Sequence, residues 1–188
     1  GGHEPLVVPG DVTDPDLPAS LVDAGMAQWG RVDIAVANAG GPPAGRAFDV
    51  DDEQLLAAFN ANMLASVRLA RAAVPHMRDQ GWGRICCIAS GSVRQPIPDL
   101  ALSNTARTAL WAWVKTASRD VAADGITINI AAPGLHATDR MLQLGLQEGR
   151  SGDPADFGKV VTFLCSEPAA FVNGIAMGVD GGVVSGLL

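Results

Sequence analysis

The sequence contains no tyrosine, and aromatic residues make up only 5% of its 188 positions. No apolar run reaches the roughly 18 residues that a membrane-spanning helix needs. The first residues, GGHEPLVVPG, lack the charged and then apolar pattern of a signal peptide. These absences argue against an integral membrane protein. They predict a soluble, cytoplasmic protein whose chemistry does not use a phenol.

Basic residues are also scarce. The 13 lysines and arginines are outnumbered by 20 acidic residues, which gives a net charge of -7, and they form no cluster or stripe. Proteins that bind nucleic acids or anionic membranes need such a basic surface. We therefore expect no nucleic-acid or membrane partner. The predicted partners are small molecules and other subunits.

Only three cysteines are present. Two of them, Cys86 and Cys87, are adjacent, and neighbouring side chains on a strand point to opposite faces of the sheet. The cysteine spacing fits neither a disulfide framework nor a metal site. The sequence thus predicts free thiols in a reducing compartment and no bound metal.

Short apolar runs alternate with longer helical patterns along the chain, and 48% of the residues are hydrophobic. Most runs are apolar at successive positions, as in parallel strands buried on both faces. Strands are predicted at residues 6–8, 34–38, 84–90, 127–133 and 175–180. Helices are predicted at residues 16–29, 51–77, 103–123 and 154–165. This order predicts an α/β fold with a doubly wound parallel sheet of Rossmann type, in a single domain spanning residues 1–188.

The glycine-rich phosphate loop of dinucleotide-binding sheets, G-x-G-x-x-G, occurs nowhere in the sequence. The strand-loop-helix unit that normally carries it is also absent ahead of the first predicted strand. The predicted fold is therefore incomplete on its N-terminal side. Three explanations stay open: the chain is a fragment, a disordered N-terminal segment is omitted, or the fold binds no dinucleotide.

Distinctive motifs follow the predicted strands, at the edge where doubly wound sheets bind their ligands. In chain order they are GDVTD, NAGG, IASGS, APGLHATDR and VDGG. Singly, each is typical of an ordinary turn. Together and in this order, with NANM on the long helix, they resemble the short-chain dehydrogenase/reductase family over nearly the whole chain. Within that family, the VDGG ending and the helix GDPADFGKVVTFLCS are similar to 3-oxoacyl-carrier-protein reductases.

The resemblance implies a role for each motif in binding NAD or NADP. Asp11 would hydrogen-bond the adenine, and the backbone of residues 38–40 would line the adenine-ribose side of the cofactor. Residues 133–138 would hold the nicotinamide carboxamide. The implied cofactor-binding residues are Asp11, Val12, Asn38, Ala39, Gly40, Arg107, Pro133, Gly134, His136 and Thr138.

The implied catalytic residues are Ser90, Asn62, Ser103 and Arg107. Ser90 would bond the substrate oxygen, and Asn62 would order a proton-relay water through a distortion of its helix. Ser103 and Arg107 stand where the family has its catalytic tyrosine and lysine, one helical turn apart. A serine hydroxyl is a far weaker acid than a phenol. Arginine keeps its proton, although its planar fork can bind ribose hydroxyls. The proton donor is therefore missing from its usual place.

Two other residues are candidates for the missing acid. His136 is the only histidine near the implied nicotinamide position, and imidazole titrates in a useful range. The alternative is that His136 only caps a loop. Asp99 precedes the helix of Ser103, where an aspartate is typical of a turn or a cap. His3 and His76 are expected at the surface.

Two functions stay open at this point. The first is an oxidoreductase that transfers a hydride between NAD or NADP and a carbonyl or alcohol substrate, with an altered proton path. The second is a non-catalytic family member that senses a ligand or serves in assembly. The segment after Thr138 is shorter than the family's substrate-covering segment, either through a deletion or through omitted residues.

The resemblance also implies a homotetramer or a homodimer, formed through long helices and the last strand. Trp111 and Trp113 lie two positions apart on the equivalent helix, so their rings face different directions. At least one ring is therefore a candidate for a contact between subunits. The alternative is that both rings pack within one subunit.

Overall fold

Four parallel strands form one sheet in the computed structural model, which describes residues 4–138 and 151–186. Their order in the sheet is their order in the chain: β1 (Ile34–Ala37), β2 (Gly83–Ile88), β3 (Ile126–Pro133) and β4 (Ala176–Val179). Each neighbouring pair is parallel. All four strands therefore end at the same edge of the sheet, and the loops that follow them lie side by side.

The described residues form five α-helices: α1 (Leu17–Trp29), α2 (Asp52–Phe59), α3 (Ala65–Gln80), α4 (Ala101–Asp120) and α5 (Pro154–Leu164). A capping box starts α2, because the Asp51 carboxylate accepts the Gln54 N–H and the Gln54 side chain accepts the Asp51 N–H. α5 starts after Asp153, whose carboxylate accepts the Ala155 N–H. Polar caps in the sequence thus set both helix starts.

The long helix predicted at residues 51–77 is not continuous. A π-helical turn, Asn60–Leu64, separates α2 from α3. Such turns are rare and occur mostly at functional sites. The apolar spacing of three and four residues does not reveal this turn, whereas the family resemblance implies a distortion of the helix at Asn62, which lies within it.

Helices cover both faces of the central strands. One face of β2 and β3 packs with α1, α3 and α4 in the largest core cluster, which includes Val22, Val67, Ile85, Cys87, Leu110 and Ile128. The opposite face packs against α5 and the residue after it, through Cys86, Ala131, Leu164 and Cys165. Side chains of alternate residues on one strand thus enter two different clusters. This arrangement confirms the doubly wound, Rossmann-type sheet.

The strand predicted at residues 6–8 is not present, because these residues have no regular secondary structure. Leu6 and Val7 are 44% and 77% exposed. An apolar run becomes a strand only where a neighbouring strand takes up its backbone hydrogen bonds. None of the four strands in the described ranges pairs with residues 6–8. The prediction was therefore wrong at this run.

Across residues 4–138 and 151–186, no helix is both long and apolar enough to cross a bilayer. No group of three or more metal-ligating side chains occurs in the same ranges.

The three cysteines are buried free thiols. Burial raises the pKa of the Cys87 thiol to about 12. Near neutral pH this thiol is uncharged, so Cys87 serves as an apolar core residue.

Arg84 lies at the amino-terminal ends of the strands, opposite the loops that line the site, and is only 2% exposed. Its guanidinium donates to the carbonyl oxygens of Ser166, Gly83 and Gly125 at 3.2, 2.9 and 3.1 Å. It also lies 4.4 Å from the centre of the Trp82 ring. One side chain thus ties the starts of β2 and β3 to the turn after α5.

We predict that Arg84→Leu lowers the free energy of unfolding by about 2–4 kcal/mol, because three carbonyl groups lose a charged donor at a buried position. The matched control is Arg31→Leu. The Arg31 side chain is 63% exposed and pairs with Asp33 at the surface, so its loss should lower the free energy of unfolding much less than the loss of Arg84. Urea unfolding of both variants measures the difference. Equal effects would show that Arg84 does not hold these strand ends.

Candidate active site

The loops after the four strands surround one cavity of about 780 Å³. Its walls come from the loop after β1, the end of β2, the first turns of α4, the loop after β3, the start of α5 and the loop after β4. The volume lies within the range of about 300–1,000 Å³ that small-molecule and cofactor sites occupy. The predicted site residues that line it are Asn38, Ala39, Gly40, Ser90, Ser103, Arg107, Pro133, Gly134, His136 and Thr138.

Ser90 reaches the cavity from the end of β2. Its backbone is extended, and its Oγ accepts the N–H of Ser92 at 3.2 Å at the start of a short 3₁₀ turn. A hydroxyl that accepts a backbone N–H still has its own hydrogen to donate. Ser90 is therefore placed to donate a hydrogen bond to an oxygen atom in the cavity.

Ser103 and Arg107 enter the cavity from consecutive turns of α4, and both side chains are 7% exposed. The Arg107 Nη1 donates to the carbonyl oxygen of Ile88 at 3.1 Å. This bond joins α4 to the last residue of β2, two positions before Ser90. Arg107 thus supplies a buried positive charge and also fixes the helix against the strand that carries the serine.

The loop after β3 packs tightly against the loop after β4. The Gly134 N–H donates to the Val179 carbonyl oxygen at 3.0 Å. A Cβ atom on Gly134 would lie 2.7 Å from the Cα of Asp180, so the close approach requires glycine. The same loop then passes His136 and Thr138, which face the cavity.

The His136 ring is held on two sides. Its Nδ1 lies 3.2 Å from the Gly134 carbonyl oxygen, and its ring meets the edge of Phe157 at a centroid distance of 5.1 Å. The surrounding backbone is tied to Gly152, since Gly152 N–H donates to Leu135 O and Ala137 N–H donates to Gly152 O. The sequence did not point to Phe157 or Gly152. Their only signal was their place in the GDPADF segment.

Asp180 of the VDGG motif organises the loop after β4. Its carboxylate accepts the N–H groups of Val184 and Gly182, both at 3.0 Å. These two hydrogen bonds lower the pKa of the Asp180 carboxyl, with the Val184 bond the larger cause. The loop residues Val183 and Val184 line the cavity beside it. Asp180 therefore shapes a wall that sequence analysis did not assign.

Asn62 lies in the π-helical turn and is 3% exposed. Its Oδ1 is buried and has no hydrogen-bond partner among the residues that the structure describes. Asn62 is not among the residues lining the large cavity. The helix distortion that the resemblance implied is thus present, and the Asn62 Oδ1 within it is a buried hydrogen-bond acceptor.

Asp11 and Val12 lie outside the large cavity. The Asp11 carboxylate accepts the N–H and the hydroxyl of Thr13, both at 2.8 Å. These bonds lower the pKa of the exposed Asp11 carboxyl. Val12 lines a smaller pocket of about 110 Å³, which shares Asn38 and Ala39 with the large cavity. Val12 therefore borders the site on the β1 side, whereas Asp11 lines neither pocket.

Asp99 does not line the cavity. Its side chain is 70% exposed, and it faces Arg46 at 4.0 Å. Its backbone has a positive φ of 58°, and its carbonyl accepts the Gly45 N–H at 2.7 Å. These features match the turn interpretation of Asp99 rather than that of an acid in the site.

The segment at residues 139–150, which includes most of the short stretch after Thr138, lies outside the described residues, and so does His3.

Comparisons with known proteins identify the family. The family model described as enoyl-(acyl carrier protein) reductase matches residues 1–184. Dehydrogenase/reductase SDR family member 4 of Homo sapiens is 32% identical over 180 residues, which cover 89% of this chain and 65% of that protein. This chain belongs to the short-chain dehydrogenase/reductase family. The Sus scrofa protein of the same name is 32% identical over 171 residues, or 84% of this chain and 61% of that protein. The chain thus spans less than two thirds of the length of these relatives.

Solved structures of short-chain dehydrogenases/reductases share the fold. L-sorbose reductase from Gluconobacter frateurii, solved with NADPH and L-sorbose, is 30% identical, with a TM-score of 0.87 over 94% of this chain and 76% of that one. YwfH, described as an NADPH dependent reductase involved in bacilysin biosynthesis, has a TM-score of 0.91 over 97% of this chain and 78% of its own. At 24% identity, YwfH supports the fold alone.

We predict that Asp180→Asn lowers the free energy of unfolding at pH 7 by about 1 kcal/mol, because an amide has one acceptor oxygen for two N–H donors. Since the folded-state pKa is lowered, the stabilisation is complete above the ordinary aspartate pKa. It is lost as the pH falls below about 4. The difference between variant and wild type should therefore shrink in acid. Urea unfolding at pH 7 and near pH 3 measures it, with Asp23→Asn, on the exposed face of α1, as control. A difference that does not depend on pH would contradict the role given to the carboxylate.

Proposed function

We propose that this chain is an oxidoreductase that transfers a hydride between NAD or NADP and a small carbonyl or alcohol substrate. One observation carries the proposal: Ser90, the loop after β1 and the loop after β3 line a single cavity at the carboxyl edge of the sheet. Doubly wound sheets bind dinucleotides at this edge. The named activities of the relatives support the same reaction class.

The residues present fit the nicotinamide half of the dinucleotide. The cavity offers hydroxyls from Ser90, Ser103 and Thr138 and open space at Gly40, where an added Cβ would have no atom within 4 Å. We propose that Asn38, Ala39 and Gly40 line the ribose side and that residues 133–138 hold the carboxamide. When bound, the dinucleotide supplies or accepts the hydride. The choice between NAD and NADP stays open.

The residues of the chain bind and polarise the substrate. Ser90 donates a hydrogen bond to the carbonyl oxygen, and negative charge builds on that oxygen as the carbon accepts hydride. The buried positive charge of Arg107 stabilises this negative charge, and its value increases where water is excluded. Leu135 and Phe157 supply apolar walls that exclude water from the reacting atoms.

The second candidate is a non-catalytic member that binds a ligand in the same cavity. Ser103 and Arg107 favour it, because neither side chain supplies a proton near neutral pH. Both residues are buried and line the cavity. The two candidates differ in turnover, while both predict binding.

The experiment that tests the proposal measures binding and turnover with one protein. NADH and NADPH are titrated by fluorescence, and turnover is followed with cyclohexanone, ethyl acetoacetate and L-sorbose. Binding with turnover supports the oxidoreductase. Binding without turnover supports the non-catalytic candidate, and absence of binding contradicts both.

We predict that Ser90→Ala lowers turnover by about 10²-fold or more, because the carbonyl oxygen loses its donor. Ser92→Ala is the matched control: Ser92 lies two residues away, its buried Oγ has no partner among the described groups, and it does not line the cavity. Its loss should leave turnover within about threefold. Equal turnover in the two variants would remove Ser90 from the reaction.

We predict that Ser103→Tyr combined with Arg107→Lys raises turnover by up to about 10²–10⁴-fold, the usual contribution of a general acid, when the candidate acid His136 is also changed to Gln. With His136 in place the gain should be smaller, because that residue is then a second candidate donor. Each single change should also give much less, because phenol and ammonium act together. The side chain at position 103 faces a cavity with room for a ring. Turnover on the ketone panel measures both gains. A folded, cofactor-binding triple variant with no gain over His136→Gln would show that the site has diverged beyond its proton donor.

We also propose a single cytoplasmic domain over residues 1–188 that assembles as a homotetramer or homodimer. Trp111 and Trp113 both pack partly against the main core cluster, and the Arg94 guanidinium lies 5.9 Å from the Trp111 ring centre. These contacts favour the interpretation that the tryptophans serve their own subunit. Light scattering of the purified protein determines the number of subunits.

A further inference from the structure

We propose that His136 is the proton donor to the substrate's carbonyl oxygen, in place of the phenol that this chain lacks. The inference rests on the proposed hydride transfer and adds to it the group that completes the reaction. It starts from the side chains that line the cavity. Among its described lining residues, the titratable groups besides hydroxyls are Arg107, His136 and Asp180.

Two of these three groups do not donate a proton near neutral pH. Arg107 is a guanidinium, which stays protonated throughout the ordinary pH range. The Asp180 carboxyl has a lowered pKa because it accepts the Val184 and Gly182 N–H groups, so it is ionised and holds no proton to give. The hydroxyls of Ser90 and Ser103 are far weaker acids than an imidazolium. His136 is therefore the remaining candidate proton donor among the described residues that line the cavity.

The hydrogen bond of His136 decides which nitrogen exchanges the proton. The Gly134 carbonyl oxygen, 3.2 Å from Nδ1, can only accept, so Nδ1 keeps its hydrogen in both charge states. Nε2 is then a donor in the imidazolium and an acceptor in the neutral ring. The proton that moves is therefore the one on Nε2.

The ring is also held in place, as a proton donor must be. Phe157 contacts it edge-on at 65°, and the backbone on either side of it is paired to Gly152. A Cβ on Gly152 would lie 2.8 Å from the His136 Cδ2 and 2.9 Å from its Nε2, so a larger residue at this position would press against the nitrogen that exchanges the proton, and glycine leaves it room. These contacts reduce the rotamer freedom that would otherwise be lost in the reaction.

The charged groups on the elements packed against the ring are engaged elsewhere. On α5 and its cap, Asp153 accepts the Ala155 N–H, and Asp156 pairs with Lys159 at 2.7 Å. On the loop after β4, Asp180 accepts two backbone N–H groups. No hydrogen bond between a carboxylate and the imidazole occurs within the described ranges. The proton on Nε2 therefore has no described carboxylate acceptor that competes with the substrate.

In the direction of reduction, the carbonyl group of the substrate receives a hydride and a proton. The carbonyl carbon receives a hydride from the reduced dinucleotide, which forms the new C–H bond, and the π electrons of the carbonyl group move to its oxygen. The Nε2–H bond breaks, its electron pair stays on Nε2, and the proton forms the O–H bond of the alcohol. The neutral imidazole regains a proton from solvent.

The activity test compares His136→Gln with the matched control His76→Gln, which lies on α3 away from the cavity. We expect His136→Gln to lower kcat for ketone reduction, measured at saturating dinucleotide, by about 10²–10⁴-fold. His76→Gln should leave kcat within about threefold of wild type. A His136→Gln variant that keeps the wild-type kcat at saturating dinucleotide would overturn the proposal.

A second readout does not depend on turnover. Diethyl pyrocarbonate modifies neutral imidazole nitrogens, and mass spectrometry locates the product. We expect slower modification of His136, but not of His76, when NADP⁺ and the best ketone of the panel are both bound. Equal modification with and without these ligands would place Nε2 away from the substrate and overturn the proposal. If wild type reduces ketones and His136→Gln does so equally well, only this inference fails. If wild type reduces none, the proposed function fails with it.

Discussion

The parallel pairing of β2 with β3 is the constraint on which the site depends. Both strands are buried on both faces, and their register places Ile88 opposite Ala131. Parallel strands end at the same edge, so Ser90 and the loop that begins at Pro133 face one space. At the other ends of these strands, the Arg84 guanidinium donates hydrogen bonds to backbone carbonyl oxygens at the start of β2 and just before β3. The core and the buried arginine therefore fix the two strands whose ends carry Ser90 and the loop that begins at Pro133.

The sequence predicts those strands well because burial on both faces leaves a continuous apolar run. RICCIAS and TINIAAP need no further context, and both strands begin and end within two residues of their predicted limits. LVV at residues 6–8 has the same character, but none of the four strands in the described ranges pairs with it. A strand depends on a partner that can be distant in sequence, and composition alone cannot supply it. Periodicity likewise does not reveal the π-helical turn at Asn60–Leu64, which only the family resemblance implies, as a distortion of the helix at Asn62.

Most candidate site residues that line the cavity lie at or just after the end of a strand. Asn38, Ser90 and Pro133 line the cavity because the strand direction brings them there. Asp11 and Val12 follow the run that did not form a strand, and neither lines the large cavity, although Val12 lines the smaller pocket beside it. Phe157 and Gly152 reach the cavity from a different part of the chain. Such contacts follow from how α5 docks on the sheet, which periodicity does not reveal.

Replacement of a phenol and an amine by Ser103 and Arg107 changes where a proton can come from. The guanidinium keeps the charge on α4 and bonds the Ile88 carbonyl, so the helix stays docked and the charge stays buried. The small hydroxyl at 103 leaves space on that side of the cavity. The donor proposed here reaches the cavity from the loop after β3, whereas Ser90 reaches it from β2. The register of β2 with β3 sets the points at which these two loops begin. The proposed acid and the hydrogen-bond donor thus both follow the ends of paired strands, whereas the family resemblance places the acid on the helix.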